Sequence, residues 1–163
     1  IIKSFALIDK NINAKLILVG SGSYETEAKK LATSLGVYKN CNFMGWIDDQ
    51  KLISKLISQS LIFVSASLFE GFGNSIIEAM SCNTLVIALD VPFGPKEILE
   101  NGKNGFLIPN NQNAHQELAK TFELVLNNPS IIEKYTKPAF NSLNRFEPHI
   151  IAKKWGKILN IKS

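Results

Sequence analysis

The chain has 163 residues, 45% of them hydrophobic, which is enough for one well-filled core and too few for two domains of ordinary size. The net charge of +4 arises from lysines scattered along the sequence, without the clustered basic and aromatic residues of a nucleic-acid-binding face. The sequence contains no apolar run long enough to cross a membrane, no signal segment and no CxxC spacing, so we expect a soluble cytoplasmic domain, residues 1–163, with Cys41 and Cys82 as buried free thiols.

The first ten residues have a helical pattern, in which Ile1, Phe5 and Ile8 share an apolar face. No strand or capping residue precedes this pattern. We therefore expect either that the chain is cut from a longer protein or that its numbering starts after disordered residues.

Short apolar runs then alternate with helical patterns, which is typical of repeated βα units and a parallel sheet. The runs that predict strands are 15–19, 42–44, 61–64, 84–88 and 106–108. The helical patterns are 24–35, 48–59, 75–81, 96–100, 113–126, 130–143 and 148–161. The order predicts an α/β fold with a Rossmann-like, doubly wound parallel sheet, covered by helices on both faces and followed by a helical tail.

The segment EGFGNSIIEAM, residues 70–80, follows the third predicted strand and turns from a loop into a helix. Gly71 and Gly73 allow the backbone to approach a ligand closely, and Asn74 or Ser75 can cap the helix. The first free amides of that helix then form a binding site for phosphate.

A carboxylate lies on each side of this helix end. Glu70 precedes the glycines, and Glu78 lies one turn into the helix, on the same face as Ser75. Carboxylates accept hydrogen bonds from vicinal hydroxyls, so one acid can bind a ribose and the other a hexose, with a diphosphate between them. The structural alternative is that Glu78 only complements the helix dipole and Glu70 is a surface charge.

These residues resemble the paired-glutamate motif of retaining glycosyltransferases of family 4. The resemblance extends along nearly the whole chain, in the family's order, as its C-terminal domain. It includes the strand and glycine turn at 16–22, the loop FMGWI at 43–47 and the turn NGKNGFLI at 101–108. It implies one half of a GT-B fold, whose N-terminal acceptor domain is not part of this sequence.

The resemblance also implies roles for individual residues. Glu78 would bind the nucleotide ribose, and Glu70 would act as the catalytic residue that contacts the donor sugar near the transferred carbon. The sugar and diphosphate would be held by the amides of Gly71, Phe72, Gly73, Asn74 and Ser75. The loop of Gly45, Trp46 and Ile47 would frame the base, and Gly20 and Gly22 would keep the strand exit open beside the pyrophosphate. Catalysis would stabilise the leaving nucleoside diphosphate electrostatically, with retention of configuration and without a metal or cofactor.

Some family features are missing from this sequence. The Arg and Lys that neutralise the diphosphate belong to a segment before Ile1, and Lys3 and Lys10 cannot be equated with them. The family's catalytic histidine belongs to the other domain, so we expect His115 and His149 to be solvent-facing or capping residues. The resemblance therefore implies that the fragment alone is inactive.

Three features have a structural and a functional interpretation. Trp46 either stacks on the base or packs against the missing domain or a helix. Residues 90–99, stiffened by two prolines, should form a rim of the cleft, near the donor or against the glutamate loop. The C-terminal lysines either form a solvated helix face or contact anionic lipid; they are Lys153, Lys154, Lys157 and Lys162.

The function that this pattern favours is transfer of a hexose or N-acetylhexosamine from a UDP-sugar to an envelope saccharide or lipid-linked glycan. The Ile, Lys and Asn content suggests a bacterial source, and the full-length enzyme could associate peripherally with the inner face of the membrane. Two alternatives stay open: an NAD-dependent oxidoreductase domain, suggested by Gly20 and Gly22, and a non-catalytic flavodoxin-like regulatory module. Against the first, position 25 is Glu rather than the third glycine of a dinucleotide fingerprint.

Overall fold

A computed structural model describes residues 1–159 and has the α/β architecture that the sequence predicts. Its strands are β1 (Leu16–Val19), β2 (Cys41–Gly45), β3 (Ile62–Ser65), β4 (Leu85–Asp90) and β5 (Phe106–Pro109). Its α-helices are α1 (Ile2–Phe5), α2 (Glu25–Ser34), α3 (Gln50–Ser58), α4 (Asn74–Ser81), α5 (Pro95–Ile98), α6 (Ala114–Asn127), α7 (Ser130–Ser142) and α8 (Pro148–Ile158). Each predicted strand is present, with its ends shifted by one or two residues.

The strands form two hydrogen-bonded groups, and every pairing is parallel. β1 pairs with β2, and β3, β4 and β5 form a second sheet in that order. A single helix, α3, connects the two groups, from the end of β2 to the start of β3. The loops after the strands, where parallel α/β proteins bind ligands, therefore follow the carboxyl ends of both groups.

The central strand of the larger sheet, β4, forms the core. Residues Leu85 to Leu89 of this strand are buried on both faces, as the continuous apolar pattern predicts. One face packs against α4 and α7 through a cluster that includes Ile76, Met80 and Ala139. The other face packs against α6 through Leu118 and Phe122. Complete burial of a side chain such as Ile87 contributes about 1.5–3 kcal/mol to the free energy of folding.

The strands β1 and β3 are less completely covered than expected. An apolar cavity of about 550 Å³ lies between them and is lined by Leu16 to Val19 and Ile62 to Val64. Ile17 and Val19 are consequently 38% and 47% exposed. Helices flank the strands as predicted, but they cover β1 less completely than β4.

The first helix is much shorter than the ten-residue pattern predicts and ends at Phe5. The side chain of Asp9 accepts hydrogen bonds from both the backbone and the side-chain nitrogen of Asn11. The helix has already ended before this turn, because the amides of Leu7 and Ile8 bond the carbonyl oxygens three residues earlier rather than four. Ile8 is still buried, in the cluster beside β4.

The C-terminal tail consists of α7, a 3-10 turn over Leu143–Phe146 and α8. The lysines of α8, Lys153, Lys154 and Lys157, are exposed, as a solvated face requires, whereas Lys162 lies outside the described residues. The predicted end of this helix at 161 also lies beyond them. No helix within residues 1–159 is long and apolar enough to cross a membrane.

The two cysteines differ in burial. Both are free thiols, but only Cys41 is buried, and burial raises the pKa of its thiol. Cys82 is half-buried, with its Sγ 3.7 Å from the Ser54 carbonyl oxygen, so the expectation that both are fully buried holds for Cys41 alone.

Candidate functional site

The loop between β3 and α4 carries the first predicted site residues. It starts after Ser65, reaches Glu70 and turns into the helix at Gly73. Gly73 has φ +99°, and a β-carbon there would lie 3.2 Å from Ile98 Cδ1. Glycine at this position therefore satisfies both a left-handed backbone conformation and close packing against α5.

The tip of α4 differs from the predicted cap. Gly73 is the N-cap, and no side chain caps the helix, so the prediction that Asn74 or Ser75 does so is wrong. Because the turn at Gly73 makes Asn74 and Ser75 the first two helical residues, they lie one and two positions after the cap position. Both are exposed, and within the described chain their backbone amides have no protein acceptor. These amides are available to an anion.

The two glutamates are accessible on either side of this helix tip. Glu70 is half-buried and Glu78 is exposed. Among residues 1–159 neither carboxylate forms a hydrogen bond or an ion pair with another side chain. They are therefore free to accept hydrogen bonds from a ligand, and the helix tip is not covered by the protein's own packing.

A second loop, after β4, supports the first. Gly94 lies against the backbone of Phe72, since a β-carbon on Gly94 would be 1.9 Å from the Phe72 carbonyl oxygen. The carboxylate of Glu97 accepts a hydrogen bond of 3.0 Å from the Gly94 amide and fixes the start of α5. Phe93, with φ +63°, is 73% exposed. The predicted rim of residues 90–99 is thus in contact with the glutamate loop.

The predicted base-side residues lie at the ends of β1 and β2. The Gly20 amide donates to the Gly45 carbonyl oxygen over 2.7 Å, so the glycine turn and the loop of Gly45 to Ile47 are adjacent. Gly22 has nothing within 4 Å of an added β-carbon, and Trp46 is 73% exposed. Most of the Trp46 side chain is therefore accessible to a ligand or to another domain.

The structure thus brings the site residues together as two groups. Phe72 and Gly73 of the glutamate loop contact Gly94 and Ile98, while Gly20 contacts Gly45. The cavity between β1 and β3 separates the strands that carry the two groups. Both histidines lie on late helices, and His149 is exposed beside Glu147, with an N···O distance of 3.2 Å.

Two residues that the sequence did not single out also contact this region. Arg145 donates hydrogen bonds to the carbonyl oxygens of Glu97 and Ile98, and the rings of Phe146 and Phe72 meet edge to face. Both come from the 3-10 turn after α7, far along the chain from the loops. A local motif gives no signal for such contacts.

Comparison with known proteins identifies the family. Residues 1–142 match the model of the family described as glycosyl transferases group 1. The chain belongs to this family. The match accounts for the α/β fold and the paired-glutamate segment, and it does not favour the nicotinamide and flavodoxin-like alternatives.

Relatives from several bacteria are similar over almost the whole chain. The poly(ribitol-phosphate) alpha-N-acetylglucosaminyltransferase of Staphylococcus aureus (strain COL) is 30% identical over 155 residues, covering 94% of this chain and 31% of the relative. The poly(glycerol-phosphate) alpha-glucosyltransferase of Bacillus subtilis (strain 168) is 27% identical, covering 98% of this chain and 23% of the relative. The crystal structure of Anabaena HepE in complex with UDP-glucose superimposes with a TM-score of 0.82 at 28% identity, over 98% of this chain and 43% of that one. The chain spans less than a third of the length of both enzymes from Staphylococcus and Bacillus.

Proposed function

We propose that residues 1–163 form the donor-binding half of a retaining glycosyltransferase that uses a UDP-hexose or UDP-N-acetylhexosamine. One observation carries the proposal: the carboxylates of Glu70, before the tip of α4, and of Glu78, in its second turn, have no protein partner among residues 1–159, and the amides of the tip are free. The name of the Anabaena structure, a complex with UDP-glucose, supports a uridine nucleotide as the donor.

In this proposal the diphosphate binds at the tip of α4. The amides of Asn74 and Ser75 and the helix dipole stabilise negative charge there. The same groups stabilise the leaving nucleoside diphosphate, whose charge increases as the glycosidic bond breaks. Glu78 accepts hydrogen bonds from ribose hydroxyls, and Glu70 accepts them from the donor sugar.

The base binds on the β1–β2 side. The loop of Gly45 to Ile47 is held beside Gly20 by their backbone hydrogen bond, and the exposed indole of Trp46 offers an aromatic face. Backbone groups of Gly20 and Gly45 contact the nucleoside, because neither residue has a β-carbon that would obstruct the approach.

The acceptor is proposed to be an envelope saccharide or polyol-phosphate polymer, bound by a second domain of the full-length protein. The names of the Staphylococcus and Bacillus relatives support an acceptor of this class. In this mechanism the negative charge of the diphosphate is stabilised by amides of this chain and by the second domain, so no resident metal is part of the proposal. We propose that activity requires the full-length enzyme.

A thermal-shift titration of the chain tests the donor assignment. UDP, UDP-glucose and UDP-N-acetylglucosamine should raise the melting temperature, since ligand at roughly 100 times its dissociation constant adds about 2.7 kcal/mol of stability. NAD and FMN serve as controls and should leave it unchanged. Stabilisation by NAD without an effect of UDP would overturn the proposal.

A further inference from the structure

The loop that carries Glu70 has few contacts of its own before Phe72. Leu68 and Phe69 are 61% and 92% exposed, and a β-carbon on Gly71 would have nothing within 4 Å. The next ring along the chain, Phe72, meets Phe146 edge to face, with ring centroids 5.7 Å apart and an angle of 79° between the rings. The conformation of the loop therefore depends on a contact with the C-terminal tail.

The neighbouring residue of the tail supports the second loop. The guanidinium of Arg145 donates to the carbonyl oxygens of Glu97, at 3.1 Å, and of Ile98, at 2.5 Å, and pairs with Glu100 at 2.9 Å. The carbonyls at the end of a helix have no partner within the helix, so Arg145 satisfies the end of α5. The start of the same short helix is Gly94, which packs on the Phe72 backbone.

We propose that Arg145 and Phe146 are positioning residues that hold the two donor loops, residues 66–73 and 91–94, in the arrangement that receives the nucleotide sugar. The guanidinium carbon of Arg145 lies 4.6 Å from the centroid of the Phe146 ring, so the pair acts as one unit. One point of the tail thus fixes both loops through side chains that lie outside the predicted ligand contacts.

The physical basis is preorganisation. A loop that is already fixed loses little conformational entropy when a ligand binds, whereas a mobile loop must be ordered at the expense of affinity. If the Phe146 ring is removed, the loop that carries Glu70 loses its ring contact with the tail and gains freedom. The inference deepens the proposed function, on which its ligand-binding prediction rests.

The variants follow from this geometry. Phe146→Leu should weaken binding of UDP-N-acetylglucosamine about tenfold, the change expected when roughly one residue must be newly ordered on binding. Phe146→Tyr keeps the ring and should restore the wild-type affinity. Arg145→Lys keeps the charge beside Glu100 but loses the planar fork that reaches two carbonyls, so it should weaken binding by a smaller factor.

The matched control is Tyr135→Leu, which removes a ring of α7 that packs on Phe106 with ring centroids 4.5 Å apart, and neither residue belongs to the two loops. Binding is measured by calorimetry well below the melting temperature of every variant, so that loss of stability alone does not change the result. We expect Tyr135→Leu to lower the melting temperature and leave the affinity unchanged. Equal affinities for Phe146→Leu and wild type would overturn the positioning role.

Hydrogen exchange makes this test independent of the donor assignment. The amides of residues 67–73 should exchange faster in Phe146→Leu than in wild type or Tyr135→Leu. If the wild-type chain binds no uridine nucleotide, the proposed function fails while the exchange data still decide the positioning role. Unchanged exchange of these amides in Phe146→Leu would overturn it.

Discussion

Gly94 and Phe72 are in backbone contact: a β-carbon on Gly94 would lie 1.9 Å from the Phe72 carbonyl oxygen and 2.7 Å from its carbonyl carbon. Gly94 also has φ +100°, a conformation that residues with a side chain rarely adopt. The glutamate loop and the start of α5 can therefore lie this close only because position 94 has no side chain.

Gly94→Ala should consequently separate the two loops and lower stability by about 1–3 kcal/mol, the usual cost of overpacking. Weaker UDP binding should accompany the change, because Phe72 lies two residues before Asn74, whose amide is proposed to bind the diphosphate. Thermal unfolding and calorimetry measure the two effects. Gly71→Ala is the control in the same loop, since its β-carbon meets nothing within 4 Å, and its stability should stay within about 0.5 kcal/mol of wild type. If Gly94→Ala and the wild type had the same melting temperature, the close contact would not exist in solution.

The sequence predicted the parts of this fold that depend on local pattern. The buried strand β4 has apolar residues on both faces and was found with nearly its true bounds. The helix at Ile1 was overextended, because the apolar spacing continued to Ile8 while the amides of Leu7 and Ile8 already bond the carbonyl oxygens three residues earlier. Periodicity does not detect such a change of hydrogen-bond pattern.

Only part of the candidate site could be predicted from the sequence. Glu70 and Glu78 were recognised because their spacing and the glycines between them form a local motif. Arg145 was not, since its carbonyl partners lie 47 and 48 residues earlier and nothing in the surrounding sequence marks them. The N-cap at Gly73 was missed because side-chain capping residues follow directly, although the backbone turn had already started the helix.

The thiol of Cys41 gives a prediction for alkaline pH. Burial raises its pKa, so the folded chain retains this proton at a pH where the unfolded chain has lost it. Stability should therefore fall as pH rises above the pKa of the unfolded thiol. Cys41→Ala should show a smaller fall than wild type over this alkaline range, as measured by urea unfolding at a series of pH values. Cys82→Ala is the control; curves for wild type and Cys41→Ala that stay parallel would show that Cys41 does not contribute.

The cavity between β1 and β3 predicts dye binding. Its lining is apolar and partly open, with Ile17 38% and Leu61 52% exposed, so the chain should enhance the fluorescence of anilinonaphthalene sulfonate. Ile17→Asp should reduce this enhancement, because a carboxylate introduces charge into the cavity and repels the sulfonate of the dye. Leu124→Asp changes a leucine that is 44% exposed outside the cavity and should not. Equal fluorescence of both variants would place the dye elsewhere; melting temperatures confirm that they are folded.

The paired glutamates give the most direct test of the donor site. Glu78→Ala should weaken UDP binding roughly tenfold or more, since a hydrogen bond to a charged group contributes about 1.5–3 kcal/mol. Glu70→Ala should leave UDP affinity nearly unchanged and remove the preference for UDP-sugar over UDP, because only the sugar would contact this residue. Calorimetry with UDP and UDP-N-acetylglucosamine separates the two effects.

Glu123→Ala is the control for loss of an acidic residue, since it lies on α6 and accepts a hydrogen bond from the Asp9 amide, far from the tip of α4 in sequence and in packing. Its affinity for both ligands should equal that of wild type. Because Glu78 is exposed and has no protein partner within residues 1–159, its replacement should shift stability by no more than about 0.5 kcal/mol. An unchanged UDP affinity in Glu78→Ala would exclude this carboxylate from the ribose site, and a retained sugar preference in Glu70→Ala would exclude the other from the donor sugar.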